Sequence, residues 1–204
     1  LKYMSTHISA SFSYVALEEM LEIVPKKQKL YIGIPRETKF QENRVALTPD
    51  AVSLLVSHGN RVVIEHLAGE HAFYSDQDYS EAGAEISMNK NAVFEADMII
   101  KSGPITVDEI ALCKMKQIIF SPVHLPFMEK KMIEALIKKK IIAIAFDSIK
   151  DHSGTYPILR AMSEIAGNSA ILNAAKYLSN VHEGKGVLLG GISGIPPAKV
   201  LILG

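Results

Sequence analysis

Ile32–Pro49 reads I-G-I-P-R-E-T-K-F-Q-E-N-R-V-A-L-T-P, and the order of its parts decides the fold. A short apolar strand stops at Pro35, a loop carrying both signs of charge follows, and Thr48-Pro49-Asp50 opens a helix. The Thr48 hydroxyl suits the N-cap, Pro49 suits the first helical position, and Gly59 marks the end. The same order recurs downstream. Arg61–His66, with Val62-Val63-Ile64 at its centre, reads as a buried strand. Ser75 and Asp78 form a capping box before a short helix ending at Gly83. A helix through Ala92-Val93-Phe94 leads into a strand at Asp97–Lys101. Thr106 and Glu109 make a second capping box ahead of the strand Gln117–Ser121. Phe127–Lys139 is amphipathic, with Met128, Met132, Ile133, Leu136 and Ile137 on one face. Ile141–Phe146 is a continuous apolar strand that ends at Asp147. Strands alternating with helices of this length predict an α/β fold, a doubly wound and mostly parallel sheet of Rossmann-like or flavodoxin-like type.

The flanks read differently. Val15–Ile23 and Val24 carry a helical pattern stopped by Pro25, with Lys26–Lys29 as a solvated link. Lys150–Pro157 is a polar turn cluster and a boundary. Beyond it Ala161–Val181 reads as one long helix rich in small residues, suited to lie between two domains. Val187–Leu189 suits a strand, G-G-I-S-G-I-P-P a stiff turn, and Lys199–Leu203 the first strand of a dinucleotide-binding unit. The expected division is a helical extension over 1–29, a substrate domain over 30–160, and an interdomain helix with the start of a nucleotide domain over 161–204. By that reading this 204-residue piece holds an incomplete dinucleotide site and is inactive alone.

Composition narrows the function. Basic and acidic residues balance at 22 each, and no long single-sign block exists, which argues against nucleic acid. Lys138-Lys139-Lys140 falls where a helix ends and complements its dipole. One cysteine, Cys113, rules out an internal disulfide and a multi-thiolate metal site and suits a reducing cytoplasm. It reads as a core residue. No metal-ligand spacing is present. The apolar runs are shorter than the roughly 20 residues a membrane helix needs, and the first residues lack the features of a signal peptide.

In a parallel sheet, ligands bind outside the carboxyl ends of the strands. Arg36, Arg44, Lys101, His124 and Asp147 all follow such ends. Each has an ordinary alternative. Arg44 suits either an exposed ion pair with Glu42, which contributes little, or bidentate grip on a carboxylate. Lys101 suits a solvated strand end or an anion contact. His124, between Pro122 and Pro126, suits a structural role or proton transfer, since an unperturbed imidazole titrates at ~6.5. Asp147 stands equally between capping a turn and touching substrate.

I-G-I-P-R-E-T-K, E-N-R-V-A-L-T-P, A-G-A-E-I, A-D-M-I-I-K, V-H-L, M-S-E-I-A-G and G-V-L-L-G-G-I-S-G-I-P-P-A-K-V resemble, in order, the amino-terminal part of the alanine dehydrogenase family. The resemblance runs from about Leu30 to Gly204. It implies a two-domain, homo-oligomeric enzyme that uses NAD to interconvert L-alanine with pyruvate and ammonium; the cytoplasmic placement rests on the single cysteine. It places the carboxylate-binding arginine at Arg44, the acid/base histidine at His124, and a serine near the cofactor at Ser163. The family's catalytic aspartate belongs to the nucleotide domain and has no counterpart in this sequence. One departure is clear. Where the family has K-V-K-E-P, with the second lysine binding substrate, this chain has Lys101-Ser102-Gly103-Pro104. Gly103 takes that place, and Lys101, matching the first lysine, is left to assist Arg44.

Three other functions share parts of the pattern. The nucleotide-binding subunit of proton-translocating transhydrogenase carries the P-R-E and E-x-R-V-A-x-T-P motifs but typically no histidine at the place of His124. A saccharopine-type dehydrogenase shares the general plan. A non-catalytic carboxylate-binding module fits if no nucleotide domain follows.

Overall fold

The computed structural model describes residues 29–203. The helix expected over Val15–Ile23 lies outside the described residues. Six strands form one all-parallel sheet: β1 (Tyr31–Ile34), β2 (Arg61–Glu65), β3 (Glu85–Ser87), β4 (Met98–Ile100), β5 (Ile118–Ser121) and β6 (Ile142–Ala145). Their spatial order is β3-β2-β1-β4-β5-β6. The chain winds outward from β1 to β3, returns to the other side of β1, and winds outward again. The reversal lies between β1 and β4, which pair in parallel through Ile32↔Met98 and Gly33↔Ile99.

Helices cover both faces because the strands are apolar on both faces. They are α1 (Pro49–Ser57), α2 (Asp76–Glu81), α3 (Lys90–Val93), α4 (Val107–Leu112), α5 (Lys130–Lys139) and α6 (Pro157–Leu178). One core gathers Ile32, Ile34, Val62 and Ile64 with Val52 of α1 and Tyr79 of α2. The other gathers Val63, Ile99 and Ile119 with Val93, Phe94, Ile110 and Cys113. Gly33 allows the second core to close over β1. A Cβ there would lie 2.4 Å from the Val93 carbonyl oxygen and 3.0 Å from the Ala96 Cβ. Burial pushes the Cys113 thiol up to about 11, as befits an unreactive core cysteine.

The helix starts follow their sequence signals. Thr48 accepts from the Ala51 N–H, and the Ser75/Asp78 and Thr106/Glu109 capping boxes are both complete. The Lys139 ammonium caps a neighbour's end, donating to the Ala111 and Cys113 carbonyls at the close of α4.

Elsewhere the boundaries move. A 3₁₀ turn, Leu125–Phe127, takes Phe127, the first residue expected in α5, which begins at Lys130. The long helix begins at Pro157, since proline is tolerated in a helix's first turn, and ends at Leu178. Neither Val187–Leu189 nor Lys199–Leu203 forms a strand. A strand exists only when a neighbour completes its hydrogen bonds, and neither stretch pairs with the sheet. The glycine-rich turn does form, closed by an Ile192↔Ile195 bridge. Among the described residues no helix is long and apolar enough to cross a membrane, and no three His, Cys, Asp or Glu side chains are grouped to hold a metal.

Candidate functional site

All six strands point the same way, so the loops after β1, β4, β5 and β6 emerge on one edge of the sheet. The two halves of that edge are built differently.

At the reversal between β1 and β4 the loops are bound together by charge. Glu37, three residues past β1, accepts from the Ser102 and Gly103 N–H groups at 2.7 and 3.0 Å. Its other oxygen lies 3.1 Å from the Lys101 ammonium. Lys101 also donates to Glu109 at 2.9 Å, and Lys90 reaches the same Glu109 oxygen at 3.1 Å. Lys101 is 1% exposed and Glu109 2%. Burial pushes the Glu109 carboxyl up, but the Lys101 charge and hydrogen bond, the Thr106 N–H and Lys90 together outweigh it and leave it below the usual carboxylate range. The Lys101 ammonium is thus committed to two carboxylates. Contact with a substrate would require one of those pairs to open.

Arg36 is likewise engaged, its N–H donating to Glu65 and its guanidinium to Glu70. Arg44 stands further out, with its side chain 52% exposed. Its Nε and Nη2 donate to the two oxygens of Glu42 at 2.7 and 2.6 Å. These hydrogen bonds hold the Glu42 carboxyl below its ordinary range. The Arg44 Nη1 lies 4.0 Å from the Met162 sulfur of α6, beside the exposed Ser163. Arg44 and the M-S-E-I-A-G segment therefore meet.

Past β5 and β6 the edge is open. His124 has a left-handed backbone, φ 46° and ψ 47°, and a side chain 56% exposed. Asp147, in the 3₁₀ turn Phe146–Ser148, accepts from the His124 N–H at 3.1 Å and more loosely from the Val123 N–H at 3.4 Å. The Asp147 Oδ2 that accepts from the His124 N–H also lies 3.4 Å from the His124 Nδ1. The contact at Nδ1 is a charge proximity and not a hydrogen bond; a proton carried at Nδ1 would face the carboxylate and leave Nε2 as the acceptor. Of the two roles open to Asp147, the structure shows the structural one. A cavity of about 530 Å³ is lined by His124, Ser121, Ile119 and Leu136 together with Thr38 and Lys39 of the β1 loop.

Sequence reasoning placed Arg44, Lys101 and His124 on one edge and named Glu42 as a partner for Arg44, which the structure shows, but it missed what holds Lys101 and His124. Glu109 showed only as a capping residue, and Glu37 showed nothing, because its partners lie 65 and 66 residues further along the chain.

A doubly wound parallel sheet presenting an arginine and a carboxylate-held histidine on its carboxyl edge defines a Rossmann-like α/β domain. Comparison with known proteins gives the family. Residues 33–166 match the model described as alanine dehydrogenase/PNT, N-terminal domain, and 170–204 match that for the C-terminal domain. The chain belongs to the alanine dehydrogenase/PNT family. It is 41% identical over 173 residues to alanine dehydrogenase 2 of Staphylococcus aureus (strain USA300), an alignment covering 85% of this chain and 46% of that protein. The chain thus spans about half the length of the curated relatives it matches. Among solved structures, an L-alanine dehydrogenase superposes with a TM-score of 0.78 at 36% identity, covering 81% of this chain and 46% of the other. A transhydrogenase from Sinorhizobium meliloti gives 0.55 at 26% identity, covering 60% and 35%.

Proposed function

We propose that the complete gene product is an NAD-dependent L-alanine dehydrogenase and that these residues form its substrate half. The observation that carries this reading is His124, held by Asp147 yet open to solvent, on the same sheet edge as Arg44.

Arg44 would hold the carboxylate of alanine or pyruvate with forked, charge-assisted hydrogen bonds and fix the orientation of Cα. His124 Nε2 would accept and return the protons of water addition to the imine and of ammonia departure. Asp147 would keep the imidazole in the right tautomer and stabilise it when charged. Lys101 would act from below, holding the β1 and β4 loops in register under Arg44. NAD, when bound, supplies the hydride acceptor. Ser163, exposed on α6 beside the Arg44 contact, is the hydroxyl this segment offers it. Among the described residues no glycine-rich turn joins a strand to a helix, so no pyrophosphate cradle is formed by them.

The transhydrogenase reading draws support from Gly103, which stands where the alanine dehydrogenase resemblance calls for a second lysine. The open histidine weighs against it. NADH oxidation by the complete gene product with pyruvate and ammonium tests the choice. Arg44→Ala is expected to raise the pyruvate KM about a hundredfold, the scale of losing a bidentate charge-assisted contact. Turnover with lysine and 2-oxoglutarate, and none with pyruvate, would replace this reading with a saccharopine-type one.

A further inference from the structure

We infer that Glu42 aims Arg44: it occupies one edge of the guanidinium so that the other edge faces the substrate carboxylate. The inference rests on the reading of Arg44 as the carboxylate anchor. Three donors of Arg44 converge on this one carboxylate, the backbone N–H at 3.2 Å, Nε at 2.7 Å and Nη2 at 2.6 Å. A guanidinium offers two bidentate edges, Nε with Nη2 and Nη1 with Nη2. Glu42 fills the first. The second retains Nη1, whose neighbour is the Met162 sulfur at 4.0 Å. A thioether is a weak acceptor. A carboxylate arriving there would replace a poor contact with a strong one.

Glu42 is itself held. Its side chain is 11% exposed, and its N–H closes a turn onto the Lys39 carbonyl at 3.0 Å. Its Cγ sits over Gly103, 3.7 Å from where a Cβ would be, and the Glu37 carboxylate is 3.1 Å from the same point. A side chain at 103 would touch Glu42 at an ordinary distance and crowd only the Glu37 carboxylate, so Glu42 packs against the Gly103 backbone without depending on it. A competing arrangement would have Glu42 stand in for the substrate carboxylate and be displaced on binding. Displacement would break three hydrogen bonds to one carboxylate at once, the Arg44 N–H, Nε and Nη2, in exchange for the substrate's two. The geometry therefore favours aiming over competition.

The two roles predict opposite signs. In the complete gene product, Glu42→Ala is expected to raise the pyruvate KM about tenfold with kcat within about twofold of the parent. Glu42→Gln keeps one acceptor oxygen and should fall between. A KM that is unchanged or lower in both variants overturns the inference, as does a loss confined to kcat. Thermal unfolding checks that the variants fold, and Glu42→Gln, which keeps the side chain's shape, serves if Glu42→Ala does not. A second readout needs no turnover. Phenylglyoxal should modify Arg44 faster in Glu42→Ala or Glu42→Gln than in the parent, read by peptide mass mapping. Equal rates overturn the inference. If the parent fails to turn over pyruvate, the proposed activity falls, and the labelling rates alone decide whether Glu42 holds Arg44.

Discussion

The two halves of the carboxyl edge use the same kinds of residue to opposite ends. Between β1 and β4, Lys101 is enclosed by Glu37 and Glu109. Past β5 and β6, His124 rests on Asp147 and stays half open. The first arrangement spends its charges on joining loops, and the second leaves a titratable group free. Burial makes the difference. A strand end in the middle of the sheet is covered by neighbouring loops on both sides, whereas the β5–β6 end is covered by fewer.

The closed half should fail as structure. Lys101→Ala leaves Glu109 with only the partly exposed Lys90 and deprives Glu37 of its cation, and is expected to cost ~3–5 kcal/mol in urea unfolding. A cost near zero would mean that the pair adds nothing beyond its own desolvation. The same half sets an acid limit. The Glu109 carboxyl is lowered on folding, so its contribution is present above the unfolded pKa of ~4.3 and is lost as pH falls through the lower folded value. Glu109→Gln should therefore flatten the loss of stability below about pH 4.3, and an unchanged acid slope would assign it to other carboxylates.

The open half should fail as chemistry. His124→Ala in the complete gene product is expected to lower kcat ~100-fold or more while leaving the unfolding midpoint close to the parent's. Asp147→Asn should lower kcat roughly tenfold, since an amide at Nδ1 no longer stabilises the imidazolium. Normal kcat in both would remove the β5–β6 end from the reaction. The smallest effect falls outside both halves. Thr48→Ala removes only the cap of α1 and should cost ~1 kcal/mol, with kinetics unchanged.

Much of this is legible in the sequence. The strand–loop–helix repeat and three of the helix caps follow from residues within a few positions of one another. So does the carboxyl-edge position of Arg44, Lys101 and His124, because a parallel sheet leaves no other place for them. β3 escaped notice because Glu85-Ile86-Ser87 is a three-residue strand with little apolar content. It exists because β2 offers an edge with matching register. The expected strands at Val187–Leu189 and Lys199–Leu203 have the apolar content that β3 lacks but pair with no strand among the described residues. Apolar content alone does not make a strand. α6 makes the same point for helices. It forms over 22 residues, yet none is buried.

By itself, then, the sequence determined the layered α/β plan, the order of its elements and which residues reach the working edge. Those depend on local periodicity and on the handedness of crossovers. Only the tertiary structure decided that Lys101 is locked away, that Asp147 supports His124, and that Glu37 ties the β1 loop to Ser102 and Gly103. Each of these is a contact between segments distant in the chain. The charge state and freedom of a side chain depend on what burial removes from water and what partner replaces it, and neither is written in its neighbours along the sequence.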